Sequence, residues 1–86
     1  MPCVCRFFGI AIYFYLSEHE PAHFHAIYSG DEAVYEIETL RVLVGNLPRR
    51  AHKLVLEWAD QHREELMECW RVSRENGTPN QIEPLR

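Results

Sequence analysis

Cysteine is scarce in this 86-residue sequence, and its three copies, Cys3, Cys5 and Cys69, are an odd number. Too few for a disulfide scaffold, they read as reduced, partly buried thiols of a cytosolic protein. Cys3-Val4-Cys5 places two thiols on one face of a strand, yet two ligands are half of a tetrahedral zinc site. No apolar run is long enough to cross a bilayer. The longest, residues 7–16, is followed by Ser17-Glu18-His19-Glu20 rather than by a small-residue cleavage site, so neither a membrane partner nor a signal peptide is expected. Also missing are a phosphate-cradling glycine loop, a His-Glu-x-x-His spacing and an evident Ser or Cys nucleophile. No cofactor is therefore called for. Repeats, low-complexity blocks and linkers are absent too, which leaves one domain: residues 1–77 as the fold and 78–86 as an extended tail.

What the chain does have is apolar mass. At 47% hydrophobic and 12% aromatic, it is equipped to pack a core and to leave some aromatic surface for a partner. The net charge of −4 is unevenly spread. Residues 1–40 hold one base, Arg6, against Glu18, Glu20, Asp31, Glu32, Glu36 and Glu38; residues 41–53 hold Arg41, Arg49, Arg50 and Lys53 and no acid. The acidic total argues against nucleic-acid binding as the main activity, while the basic stretch keeps RNA open as a weaker partner.

Alternation marks the first strand. Phe8, Ile10, Ile12, Phe14 and Leu16 form one apolar face, and Phe7, Ala11, Tyr13 and Tyr15 form a second whose aromatic rings carry polar tips; Gly9 reads as a bulge or bend. His23–Tyr28 is the next strand, closed by the turn residues Ser29-Gly30-Asp31. Glu32–Glu38 and a short Arg41–Val44 follow. All connections are short, so the expected fold is α+β: an antiparallel meander of three to four strands, then helix packed on one sheet face. The helical pattern starts near Leu47-Pro48 and ends at Asn76-Gly77. Its apolar stripe includes Trp58, His62, Leu66, Cys69 and Trp70. Asp60 could cap a second helix, so one long helix and two abutting ones both stay open. Trp58 and Trp70 read as core, and His62 as a hydrogen-bonded, half-buried side chain.

The chemistry concentrates in His19-x-x-x-His23-x-His25. His23 and His25 share one strand face. A two-residue turn sets His23 opposite Glu36; a four-residue turn sets His25 opposite Glu36 and His23 opposite Glu38. Three readings follow. The plainest is a solvated or partner-facing strand with His–Glu pairs worth about 0.2–1 kcal/mol each. A second is acid–base catalysis by His23, His25 and Glu36, as in a metal-independent ribonuclease whose phosphate is held by Arg49, Arg50 or Lys53. The third is a divalent metal held by some of His19, His23, His25 and Glu38. His19, Arg49, Arg50, Lys53, Tyr13 and Tyr15 complete the candidate binding residues. The three cations oppose the helix dipole at their end of the helix, which suits either solvent or an anionic partner.

Laid out in order, the motifs resemble a bacterial family known as the domain of unknown function numbered forty-one sixty. They are Met1-Pro2, Arg6-Phe7, Gly9-Ile10, His19-x-Pro21-x-His23-Phe24-His25, Ile37-Glu38, Gly45-x-Leu47-Pro48-x-Arg50-Ala51, Leu54-Val55-x-Glu57-Trp58, His62-x-x-Glu65-Leu66, Trp70 and Ile82-Glu83-Pro84-Leu85. The resemblance implies a small protein of a two-gene module, often beside another short protein in an arrangement suggestive of toxin–antitoxin pairs. It therefore implies a co-encoded small protein, or a second copy, as partner. It carries over no catalytic residues. The sequence departs from the family at Cys3 and Cys5, where small or hydroxyl residues are usual, and at Leu40, where a turn glycine is common.

Overall fold

The computed structural model describes residues 2–86; Met1, the first of the matching motif residues, lies outside them. Five strands precede two helices: β1 (Cys3–Phe7), β2 (Ile10–Tyr13), β3 (His23–Tyr28), β4 (Asp31–Glu36), β5 (Val42–Gly45), α1 (Arg49–Gln61) and α2 (Arg63–Arg74). The strands form one antiparallel sheet in chain order, so the α+β meander holds with one strand more than the three to four expected.

The extra strand comes from Phe8-Gly9. Both residues have positive φ, +48° and +82°, which is the signature of a two-residue hairpin turn whose twist matches its strands. Gly9 is thus in a turn rather than in a bulge. The run from Phe8 to Leu16 is not one strand: Ile10, Ile12 and Phe14 are buried as expected, whereas Phe8 and Leu16, assigned to the same apolar face, stand out in solvent. Ser29-Gly30, at +49° and +91°, makes the second such turn. It fixes His23 opposite Glu36, His25 opposite Val34 and Ile27 opposite Glu32. The next strand ends at Glu36, two residues sooner than its pattern suggests, because Glu36 and Arg41 close a turn through Leu40 at φ +62°.

One sheet face carries the core. Phe24 stacks on Tyr35 with ring centroids 5.3 Å apart, and Trp58 of α1 meets Phe7 at 5.1 Å and Phe24 at 6.1 Å. Trp58 and Trp70 are buried, as read from their helical spacing. The helical stretch is two helices broken at His62, whose φ of −130° leaves the α region. Asp60 caps neither; it pairs with Arg63. His62 is half-buried and hydrogen-bonded to Glu65, as its place on the stripe suggests. At the end of α2, Asn76 at φ +62° and the Gly77 N–H to Val72 carbonyl bond of 2.9 Å complete a Schellman stop.

The segment from Thr78 onward has no regular structure, but it is docked. Ile82 is buried, its N–H donates to the Val4 carbonyl at 2.9 Å, and Gln81 Nε2 donates to the Cys3 carbonyl at 2.7 Å. Trp58 Nε1–H in turn donates to the Glu83 carbonyl. The outer edge of β1 is therefore covered. The other edge strand, β5, has all four residues exposed.

Candidate functional site

The face opposite the core gathers the histidines. Period two puts His23 and His25 there together, and the chain between β2 and β3 folds back over them. That connection is tied down at long range: Ser17 Oγ donates to Asn76 Oδ1 at 2.9 Å and Arg74 bonds Glu20 at 2.7 Å. Its return brings Glu18 onto the histidines. Glu18 Oε1 lies 3.2 Å from His23 Nε2 and 2.7 Å from His25 Nε2. The other ring nitrogens are also engaged. His23 Nδ1 meets the Pro21 carbonyl at 2.7 Å, and His25 Nδ1 meets Glu32 Oε2 at 2.9 Å.

Aromatic rings wall this cluster. Tyr15 lies 4.2 Å from His25, the two imidazoles are 5.3 Å apart, and Trp70 covers His23 at 4.8 Å. His25 is 9% exposed, so the pair is shielded on most sides. Burial alone would raise the Glu18 carboxyl, but hydrogen bonds from His25 and His23 outweigh it and hold the group below its usual range. The Tyr15 phenol is shifted up, by burial first and then by the charge of Glu32.

Several candidates sit elsewhere. Glu36 lies opposite His23 in register, but its carboxylate takes the Thr39 hydroxyl at 2.7 Å and faces Arg41 at 3.9 Å. The trio of His23, His25 and Glu36 is thus not assembled, and Glu18 takes the place given to Glu36. Glu38 contributes its backbone carbonyl to Arg63. Among the described residues, one group of three potential metal ligands converges, namely Glu18, His23 and His25; His19 and Glu38 are not in it. Arg49, Arg50 and Lys53 line a separate surface hollow with Leu54 and Glu57. Tyr13 lies tilted against Tyr15 at 6.4 Å and receives a hydrogen bond from Arg6 at 3.2 Å. The thiols form no site. Burial pushes Cys5 and Cys69 each up to about 11, and Cys3 bonds only the Cys5 carbonyl.

Glu18 is the residue that sequence reasoning missed, since it belongs to a connection with no periodicity to read. A second surface also stands out. Val42, Leu43 and Val44 of β5 are exposed, Val44 at 65%, along an edge without a neighbour among the described residues. No helix is long and apolar enough to cross a membrane.

No curated protein and no solved structure matches the chain. A family model does: residues 9–71 match the family described as "Domain of unknown function (DUF4160)", a span that runs from the first hairpin turn through the histidine strand to Trp70 and beyond, and the chain belongs to that family.

Proposed function

We propose that this protein is the protein-binding member of a small bacterial two-gene module, of the toxin–antitoxin type, and that it docks its co-encoded partner by strand addition at β5. The observation that carries the reading is the contrast between the two sheet edges. β1 is covered by the segment around Ile82, whereas β5 leaves Val42, Leu43 and Val44 exposed. Folded proteins blunt edge strands with charge, proline or a covering segment, and an open apolar edge is a template for another strand. Arg41, Arg49, Arg50 and Lys53 lie just before and after this edge in the chain, so the strand that fits is apolar with acidic flanks.

Co-expression with the neighbouring gene product tests the reading. A stable complex is expected, and Val44→Lys should weaken it at least about tenfold while leaving the thermal melt of the free protein within about 0.5 kcal/mol, as for exposed substitutions generally. Failure to associate, or association indifferent to Val44→Lys and Leu43→Lys, overturns it; self-association at this edge without the partner would replace the co-encoded protein by a second copy. The rival ribonuclease reading needs a cation beside the histidines, and the described contacts bring none of Arg49, Arg50 and Lys53 there.

A further inference from the structure

We propose that Glu18, His23 and His25 form a three-ligand site for a divalent transition-metal ion of the zinc class. The case rests on how the three side chains are held and how closely they converge. The Pro21 carbonyl and the Glu32 carboxylate can only accept, so the bonds at 2.7 and 2.9 Å place the hydrogen of each imidazole on Nδ1. In its neutral form, a ring held this way has its lone pair on Nε2. Both Nε2 atoms face one carboxylate oxygen, at 3.2 and 2.7 Å.

Three such atoms this close are held together by positive charge between them, either the ring protons that bond Glu18 or an ion in their place. A single dication supplies the charge that would otherwise take two protons, one on each shielded ring. The spacing suits an ion. The three donor atoms all lie within 4.8 Å of one another. Ligands about 2.0–2.2 Å from a tetrahedral zinc stand about 3.3 Å apart, which small rotations of the Glu18 and histidine side chains would satisfy.

The surrounding bonds are those of a metal site as well. Metal-binding histidines generally donate their second ring N–H to a carboxylate or a backbone carbonyl, which fixes the tautomer and strengthens the ligand; here Glu32 and Pro21 fill those two roles. Two imidazoles and one carboxylate favour zinc, nickel or copper over calcium or magnesium. Three protein ligands leave a fourth position for water or an incoming group, the arrangement of reactive rather than purely structural zinc. Tyr15 stands against His25.

The test uses the full chain, stripped with a chelator and then titrated with Zn²⁺ alone by calorimetry and followed by thermal melting. One ion per chain is expected, and at a hundredfold excess over Kd the Tm should rise by about 10–20 °C. Glu18→Gln and His25→Gln, checked for native circular dichroism, should abolish stoichiometric binding. Glu32→Gln, which keeps every ligand, should weaken it about 10–100-fold. His52→Gln should bind as the parent does. Absence of one-to-one binding at micromolar Zn²⁺ overturns the proposal, as does binding that survives both ligand substitutions. Neither outcome touches β5, so the docking reading stands or falls separately.

Discussion

Phe8 opens a two-residue turn at φ +48°, with its ring 55% exposed. A bulky side chain in the left-handed region costs roughly 1–2 kcal/mol, and an exposed ring returns little of that through burial. Asparagine is the residue that this turn position favours. Phe8→Asn should therefore stabilise the fold by about 0.5–1 kcal/mol, read as a higher urea midpoint at unchanged slope. Leu40 is the parallel case, holding φ +62° where the family resemblance leads one to look for glycine. The two differ in that Leu40 packs partly against the core, which gives it some return. These residues also show what a sequence conceals. Without Asn-Gly or Asp-Gly at Phe8-Gly9, alternation ran straight through the turn, and two strands read as one. Glu18 was hidden for a related reason: its position depends on Ser17 meeting Asn76 and Glu20 meeting Arg74, contacts spanning more than fifty residues. By contrast, His23–Tyr28 was legible to the residue, because its alternation and the Ser29-Gly30 turn together admit few registers.

Among the elements, β5 is held most precariously. It pairs on one side only, its register slips between Val34 and Tyr35, and its last residue, Gly45, takes φ +72°. A Cβ at Gly45 would collide with the Glu32 carbonyl oxygen, a backbone atom that cannot step aside. Gly45→Ala should thus cost about 2 kcal/mol or more and loosen β5 before the rest of the sheet, seen as faster amide exchange at Val42–Val44 than at His23–Tyr28. The two helices show opposite electrostatics. α2 follows the dipole, with Glu64 and Glu65 in its first turn and Arg71 and Arg74 in its last. α1 has no acid in its first turn, which instead begins Arg49-Arg50, and no side-chain cap. The apolar stripe gave both helices, but the break at His62 was not fixed by Asp60, a plausible cap that became a surface ion-pair partner.

At the scale of the whole molecule, three weak acids are sealed in the core. Burial holds Cys5 and Cys69 up to about 11 and Tyr35 up to about 12. In each case the folded value lies above that of the unfolded chain. The stability each contributes is therefore complete below about pH 9 and is lost as pH climbs toward 11–12, where the unfolded chain releases protons that the fold retains. Tm should be nearly level from pH 7 to 8.5 and fall steadily from pH 9 to 11, with a shallower fall in Cys69→Ala. A flat profile to pH 11 would show that these groups reach water in the fold.

The docking of Ile82 beside Val4 sets a limit on assembly. Because that segment occupies one margin of the sheet, the chain has a valence of one for strand exchange. A second copy added edge to edge at β5 terminates growth instead of seeding more of it. Apolar Val42-Leu43-Val44 can thus stay available without committing the protein to fibres.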